Sequence, residues 1–364
     1  MSLEFVSRLE DIPVYPAAST YAFGGELVKL ASNETPYAPH PAVLDAVRAA
    51  LGGLNRYPDP AATALRRRLA ERFGLPGERI SVGNGSCELL LAAAEAMLEP
   101  GAEVVYAWPS FSMYPHLAAM TGARAISVPL RPDGRHDLEA MAREVTAATR
   151  IVIVCNPNNP TATTVSLEAL EAFLSALPAH VAVIVVEAYV EFAADRDPDE
   201  TLPLLAGHAN LVLLRTFSKV YGLCGLRVGY ALAGSDAFRL AVDRVRQPFP
   251  VNALAQAAAT EALLHQDEVA SRVERTVAER LFLDAELAER GLATSDGQAN
   301  FCWVGLGDHP EAEVVDGLAR RGVIVRSGHD LGAEGHLRVT FGTHRENQAF
   351  LAALDQVLGA TADT

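Results

Sequence analysis

A lysine that follows an apolar run is the residue in this sequence best suited to chemistry. Lys219 lies in the segment TFSKVYGLCGLRVGY, residues 216–230, directly after the apolar run 211–216. A lysine amine forms an imine with a carbonyl group only after losing its proton, and desolvation in a pocket lowers its pKa toward that condition. Ser218 and Arg227 can hold a phosphate through hydrogen bonds, of which those from the guanidinium are charge-assisted. Taken alone, these residues are more typical of a solvated loop in which Arg227 pairs with a surface carboxylate.

A second segment suited to binding is GNGSCE at 83–88, between a short predicted strand and an apolar helix. Backbone N–H groups at a helix start bind phosphate, and small residues such as Gly85 and Ser86 let the anion approach. The alternative is a nicotinamide dinucleotide fingerprint with Glu103 as the ribose-binding acid. Glu88 takes the place of the third glycine in that fingerprint, which disfavours the alternative.

Together these segments resemble the histidinol-phosphate aminotransferases, a family of fold type I pyridoxal-phosphate enzymes, over nearly the whole chain. NPNNPT at 156–161 and NRYP at 55–58 also match family segments. The resemblance implies that Lys219 is the catalytic residue and holds pyridoxal phosphate. It implies further cofactor-binding residues, which are Gly85, Ser86, Cys87, Phe111 over the ring, Asn156 and Tyr189 at the phenolic oxygen, Val186, Ser218, Arg227 at the phosphate, and Tyr57 at the phosphate of the other subunit.

The resemblance also implies substrate-binding residues and a reaction. Arg338 matches an arginine that clamps a carboxylate, because a planar guanidinium forms a bidentate fork. Arg326 and Tyr15 match positions that hold the substrate's phosphate, and Asn33 is expected at the substrate as well; for Arg326 an ordinary salt-bridged role stays open. The expected reaction is amino transfer between L-histidinol phosphate and 2-oxoglutarate in histidine biosynthesis, by a homodimer with shared active sites.

One position departs from the family where it matters for the chemistry. The family has Asp-Glu-Ala-Tyr where this chain has Val186-Glu187-Ala188-Tyr189. The aspartate keeps the cofactor's ring nitrogen protonated, which valine cannot do. Glu187 should face away from the ring, because adjacent side chains on a strand point to opposite sides.

Several interpretations of this departure stay open. The chain could be a weak transaminase, an enzyme of different chemistry, or a sequence altered at position 186. Enzymes that share the cofactor motifs include aromatic amino acid aminotransferases and pyridoxal-phosphate-dependent decarboxylases on the same fold. A weakly active or non-catalytic cofactor-binding protein is a further alternative, and Val186 is its only support.

Alternating patterns predict the elements that position these residues. Between residues 40 and 230, short β-rich runs alternate with amphipathic segments, which predicts an α/β fold whose mostly parallel sheet is sandwiched by helices. The predicted strands are 80–82, 103–107, 125–128, 150–154, 181–186 and 211–216. Long helical stretches then run to about residue 289, followed by short strands near 301–304, 323–326 and 336–340. We expect an N-terminal arm (1–39) packed on the small domain, a large cofactor-binding domain (40–251) and a smaller α+β domain (252–364).

Composition limits the partners and the compartment. A formal charge of −15 over 364 residues disfavours binding along nucleic acid or an anionic membrane, although local arginines can still hold small anions. The four cysteines are scattered, which is typical of a reduced cytoplasmic protein. No apolar run has the length of a membrane helix and no histidine spacing indicates a metal site, so we expect neither.

Overall fold

The structure is a computed structural model that describes residues 3–7 and 27–362. The strands in these ranges are β1 Val28–Lys29, β2 Ile80–Gly83, β3 Glu103–Trp108, β4 Arg124–Pro129, β5 Thr149–Cys155, β6 Ala182–Val186, β7 Leu211–Thr216, β8 Gly229–Ala233, β9 Phe301–Gly305, β10 Val323–Ile324, β11 Arg326–Ser327 and β12 His336–Thr340. The α-helices are α1 Pro41–Ala50, α2 Thr63–Phe73, α3 Ser86–Met97, α4 Met113–Thr121, α5 Leu138–Arg143, α6 Leu167–Ala176, α7 Leu204–Gly207, α8 Ala237–Val245, α9 Ala253–Ala262, α10 Gln266–Glu289, α11 Glu311–Arg320 and α12 His344–Ala362.

Seven strands form the large sheet, in the order β2-β8-β7-β6-β5-β3-β4. Every neighbouring pair is parallel except the two that include β8, which runs antiparallel to both β2 and β7. The predicted α/β class with a mostly parallel sheet is therefore confirmed. The Gly-rich sequence around β8 hid this strand from the pattern analysis.

Both faces of the large sheet are buried, which explains why its strands are continuous apolar runs. On β6, Val183 and Val185 belong to one apolar cluster, and Ile184 and Val186 belong to the cluster on the opposite face. Helix α2 is followed by Gly74, which adopts a left-handed conformation with φ of 63°. Glycine is the residue that most often ends a helix in this way.

A second, antiparallel sheet has the order β11-β12-β9, and a third apolar cluster packs between it and helices α10, α11 and α12. The strand predicted at 323–326 is two strands. β10 pairs with β1, whereas β11 pairs with β12, so the chain changes partner at Val325. Arg326 consequently lies directly opposite Arg338 in the β11-β12 ladder.

The large sheet brings chemically useful residues to one edge. β5, β6 and β7 are parallel neighbours that end at Cys155, Val186 and Thr216. The carboxyl ends of parallel strands meet at one edge of a sheet, where ligands bind in open α/β folds. The start of α3, after β2, lies at the same edge, since Gly85 packs against Gly229 at the start of β8.

Candidate active site

A cavity of about 420 Å³ opens at this edge of the sheet. Its wall comes from the ends of β5, β6 and β7, the start of α3, the segment 32–34 and β12. The lining residues are Ser32, Asn33, Glu34, Ser86, Cys87, Leu90, Phe111, Cys155, Asn159, Val186, Ala188, Tyr189, Thr216, Ser218, Lys219, Cys224, Gly225, Arg227 and Arg338. Most residues predicted for the site are thus brought together, although they are scattered over 300 positions of sequence.

Lys219 lies three residues beyond the end of β7, with its amine inside this cavity. Its Nζ donates a hydrogen bond to the Ser32 carbonyl at 3.0 Å and lies 5.7 Å from the centre of the Tyr189 ring. Burial, and then the nearby Arg338 guanidinium, lowers the pKa of Lys219 to about 8. A larger fraction of this amine is therefore neutral near pH 7 than for an ordinary lysine, as imine chemistry requires.

The start of α3 forms a cradle for an anion. Gly85 has φ of 77°, and a Cβ atom there would lie 2.7 Å from Nη2 of Arg227. A Cβ atom on Gly229 would lie 2.5 Å from the backbone nitrogen of Ser86. Only glycines allow the guanidinium of Arg227 and the strand β8 to approach the helix start this closely. The N–H groups of the first helical turn and Arg227 can hold a phosphate between them.

Tyr189 is buried beside Lys219 and remains protonated. The Asn33 side-chain amide donates to the Tyr189 hydroxyl at 3.0 Å. Burial raises the pKa of Tyr189 to about 12. The Asn33 backbone adopts φ of 54°, and its side chain also accepts a hydrogen bond from Thr340 at 3.1 Å. These contacts fix the phenol in the cavity wall, where it can donate to an oxyanion.

The segment NPNNPT contributes a different asparagine from the one predicted. Asn156 lies outside the cavity wall, because its side chain exchanges two hydrogen bonds with the Val165 backbone, at 3.1 and 3.3 Å. Asn159 lines the cavity and accepts a hydrogen bond from Nη1 of Arg338 at 2.7 Å. The sequence analysis missed Asn159, although it lies in the same motif.

Arg338 reaches the cavity from β12 of the second sheet. It is buried, and besides Asn159 it contacts the carbonyl of Ala31. Arg326 is its direct neighbour across the ladder, and residues directly opposite each other in a ladder project from the same face of the sheet. The Arg326 side chain is mostly buried, lies 3.8 Å from Asp330 and stands outside the cavity wall.

Val186 forms an apolar part of the cavity wall, at the position where the family described above has an aspartate. Glu187 points to the opposite side of the sheet, as alternation along the strand predicts. There its carboxylate accepts hydrogen bonds from Thr201 at 2.6 Å and from Arg215 at 2.7 Å. Both charged partners are fully buried, so Glu187 is committed to this ion pair and cannot serve the cavity.

Besides Asn156 and Arg326, Tyr57 is a predicted residue that lies outside the cavity wall. Tyr57 is 81% exposed and stacks on the Phe249 ring at 4.4 Å, away from the site of its own chain. Tyr15 lies outside the described residues. Within the described ranges, no group of histidine, cysteine, aspartate or glutamate side chains could hold a metal ion. In the same ranges no helix combines the length and apolar character of a membrane span.

The chain is similar to known proteins over nearly its whole length. The family described as aminotransferase class I and II matches residues 25–354. An aromatic amino acid aminotransferase of Streptomyces avermitilis is 41% identical over 351 residues, 96% of each chain. A histidinol-phosphate aminotransferase of Geobacillus thermodenitrificans is 44% identical over 92% of this chain and 90% of its own. The crystal structure of histidinol-phosphate aminotransferase from Sinorhizobium meliloti in complex with pyridoxal 5'-phosphate superposes with a TM-score of 0.90, at 28% identity and 99% coverage of both chains.

Proposed function

Because the chain belongs to the class I and II aminotransferases and uses pyridoxal phosphate, we propose that the cavity around Lys219 is its active site and that it transfers an amino group between L-histidinol phosphate and 2-oxoglutarate. When bound, the cofactor supplies an aldehyde that condenses with amines and a ring that accepts the electrons released at the substrate's α-carbon. The observation that carries the proposal is the buried Lys219 amine, with a pKa near 8, facing an anion cradle across one cavity.

Different residues of the cavity wall would contact different parts of the cofactor. Lys219 would hold its aldehyde carbon. The first turn of α3 at Gly85 and Ser86, together with Ser218 and Arg227, would bind its phosphate. Tyr189 and Asn159 would hydrogen-bond the phenolic oxygen, with Asn159 in the role predicted for Asn156. Phe111 would cover one face of the ring.

Lys219 has a second role in this proposal. Once its amine is free, Nζ would take the proton from the α-carbon of the bound amino substrate and deliver it to the carbon that carried the cofactor's aldehyde. Its lowered pKa suits this work, because a base is most effective when its pKa lies near the working pH. The Ser32 carbonyl, 3.0 Å from Nζ, orients the amine between transfers.

The second sheet would bind the substrate. Arg338 suits a carboxylate such as that of glutamate, since its two Nη atoms already contact two oxygen atoms, on Asn159 and Ala31. Arg326, directly opposite it on the same sheet face, provides a second cation beside the first. Histidinol phosphate has no carboxylate, and its phosphate is on the carbon next to the one that carries the amine. Two neighbouring arginines favour this doubly charged group over a carboxylate, which supports histidinol phosphate.

An aromatic amino acid is the second candidate for the amino substrate. Arg326 stands outside the cavity wall and within ion-pair distance of Asp330, so it can be a purely structural residue. An amino acid has a carboxylate in place of this phosphate and would need only Arg338. Relatives with the name aromatic amino acid aminotransferase are as similar to this chain as those with the name histidinol-phosphate aminotransferase.

The experiment that separates the two substrates uses Arg326. With 2-oxoglutarate as acceptor, kcat/KM is measured for histidinol phosphate and for phenylalanine in the native protein, Arg326→Ala and Arg326→Lys. A charged hydrogen bond contributes about 1.5–3 kcal/mol, so Arg326→Ala should lower kcat/KM for histidinol phosphate by about tenfold to a hundredfold and leave phenylalanine unchanged. Arg320→Ala, an exposed arginine on α11, is the control. Preference of the native protein for phenylalanine, with equal small effects in Arg326→Ala, would contradict histidinol phosphate.

We further propose that the protein works as a homodimer in which Tyr57 of one subunit reaches the cofactor phosphate of the other. The support is the exposed apolar surface around this residue, formed by Leu51, Leu54 and Tyr57. A tyrosine that is stacked on Phe249 yet largely exposed is suited to contact a second copy. The proposed division into arm, large domain and small domain stays a prediction.

A further inference from the structure

The chemistry of the cofactor determines which part of the cavity its ring nitrogen meets. In pyridoxal phosphate the nitrogen is the ring atom opposite the carbon that carries the aldehyde. With the aldehyde at Lys219, beyond the end of β7, the nitrogen points across the sheet edge toward the ends of β6 and β5. Val186 ends β6, Cys155 ends β5, and these two residues are direct partners in the parallel ladder. Both line the cavity.

No carboxylate of the described residues serves this part of the wall. Glu34 is the only acid among the lining residues, and it lies at the Lys219 end, where the Cys224 thiol contacts its carboxylate at 3.8 Å. Glu187 is on the other face of the sheet in its ion pair with Arg215. A ring nitrogen placed against Val186 therefore has no anion to hold a proton on it, and its neutral form is favoured.

A neutral pyridine nitrogen is a hydrogen-bond acceptor, and Cys155, the partner of Val186 in the ladder, offers a donor at this part of the wall. The Cys155 thiol is buried at the cavity wall and donates to the Pro157 carbonyl at 3.4 Å. Burial raises the pKa of this thiol, so that it keeps its proton. Rotation about the Cβ–Sγ bond can redirect the S–H group from the carbonyl to an acceptor in the cavity.

Tyr114 is a close neighbour of Cys155. The side chain is fully buried, and its ring meets the Phe111 ring edge to face at 5.8 Å. Among the described residues its hydroxyl oxygen has no hydrogen-bond partner at bonding distance, although the Cys155 thiol is a close neighbour. A buried hydroxyl without a partner is costly, so its retention beside the thiol calls for a reason. Donating to the Cys155 sulfur when the S–H group turns into the cavity would supply one.

We propose that the Cys155 thiol, supported by the Tyr114 hydroxyl, donates the hydrogen bond that holds the cofactor's ring nitrogen in its neutral form. Cys155 takes over the contact with the ring nitrogen that an acid at position 186 would otherwise make. The inference rests on the placement of the cofactor under the proposed function, with its aldehyde at Lys219. It concerns bound cofactor alone and does not depend on which amino substrate the enzyme uses.

The test uses the holoenzyme without substrate, loaded with pyridoxal phosphate that carries ¹⁵N in the ring. The ¹⁵N resonance distinguishes a protonated from a neutral ring nitrogen, and its position also responds to a hydrogen bond at the neutral nitrogen. We expect the native protein to give the neutral signal and Val186→Asp to give the protonated one. Cys155→Ala should move the neutral signal further from the protonated position, whereas Cys155→Ser, which keeps a donor, should restore it. Tyr114→Phe should give a smaller shift in the same direction as Cys155→Ala.

Cofactor retention provides a second readout. Loss of one neutral hydrogen bond predicts about a two- to tenfold higher cofactor Kd in Cys155→Ala, and recovery in Cys155→Ser. Circular dichroism of each variant establishes that it is folded. A protonated signal in the native protein would overturn the inference, as would a folded Cys155→Ala protein with unchanged resonance and Kd. Lys219→Ala is the separate control for cofactor placement: unchanged absorption of its cofactor would refute the proposed active site itself.

Discussion

Lys219 can react with the cofactor only in its neutral form, so its pKa sets the pH dependence of cofactor attachment. Burial and Arg338 lower this pKa to about 8 from the ordinary 10.5. Attachment of pyridoxal phosphate to the cofactor-free protein should therefore accelerate as pH rises through about 8 and level off above it. Stopped-flow absorbance between pH 6 and pH 10 would show this. Arg338→Gln removes a neighbouring cation, so the midpoint should move to higher pH.

The control for this prediction is Lys219→Ala, which should bind the cofactor without covalent attachment at any pH and should not transfer amino groups. An attachment midpoint near 10.5 in the native protein would show that the amine is solvated rather than desolvated by the cavity. Full activity of Lys219→Ala would remove Lys219 from the mechanism altogether.

Val186 limits the rate of proton removal in this proposal. A carboxylate at position 186 would protonate the ring nitrogen and strengthen its interaction as electrons enter the ring. Val186→Asp should accordingly lower the barrier of the glutamate half-reaction by several kcal/mol, which corresponds to a rate increase of about a hundredfold or more.

Val186→Asn is the matched control, because an amide of the same shape cannot protonate the ring. It should show no gain. Single-turnover absorbance after addition of L-glutamate measures all three proteins. A native protein that already reacts at an ordinary rate of about tens per second, without improvement in Val186→Asp, would show that another residue serves the ring nitrogen.

At the level of single residues, contiguous motifs were easier to interpret than isolated positions. Lys219, Ser218 and Arg227 come from one segment, and all three line the cavity. NPNNPT contains three asparagines in four positions. The directions of the Asn156 and Asn159 side chains depend on hydrogen bonds to Val165 and Arg338, respectively, which lie elsewhere in the chain. Sequence alone therefore found the motif but did not indicate that Asn159, rather than Asn156, lines the cavity.

The loop after β5 contains one asparagine that is bonded to the backbone, Asn156, and one that lines the cavity, Asn159. Asn156→Ala should lower the free energy of unfolding by about 1–3 kcal/mol, because two hydrogen bonds to Val165 are lost and buried backbone groups are left without partners. Asn159→Ala should leave thermal stability closer to native but raise the cofactor Kd and the KM for glutamate, since it contacts Arg338 inside the cavity. Thermal unfolding and cofactor titration of both variants test this difference. The reverse pattern would return the cofactor role to Asn156.

Element types were predictable where burial imposes a simple pattern. β5, β6 and β7 are buried on both faces, and their apolar runs predicted them almost to the residue. β8 was missed because its buried residues include glycine and alanine, which the sheet needs for the close approach of α3 at Gly229. The division of 323–327 between two sheets depends on β1 and β12, which are distant in sequence. Local pattern cannot reveal such pairing.

At the scale of the whole chain, the charge of the cavity is opposite in sign to the net charge of the protein. The protein carries a formal charge of −15, yet its cavity is lined by Lys219, Arg227 and Arg338 against a single acid, Glu34, among the described residues. Anionic cofactor and substrates are thus attracted locally by a protein that repels polyanions globally. The acidic composition disfavours nucleic acid as a partner, whereas a local group of cations can still bind small anions.

The proposed dimer makes a prediction that only mixed subunits can test. Tyr57→Phe should weaken cofactor retention by about tenfold or more if its hydroxyl donates to the phosphate. If that phosphate belongs to the other subunit, a hybrid of one Tyr57→Phe chain and one Lys219→Ala chain contains a complete site. Its Lys219 comes from the first chain and its Tyr57 from the second. Differently tagged chains allow the hybrid to be purified, and its cofactor titration should show one native-affinity site per dimer. If Tyr57 instead serves its own chain, the only site with Lys219 lacks the tyrosine hydroxyl, and the hybrid should retain cofactor as weakly as the Tyr57→Phe homodimer.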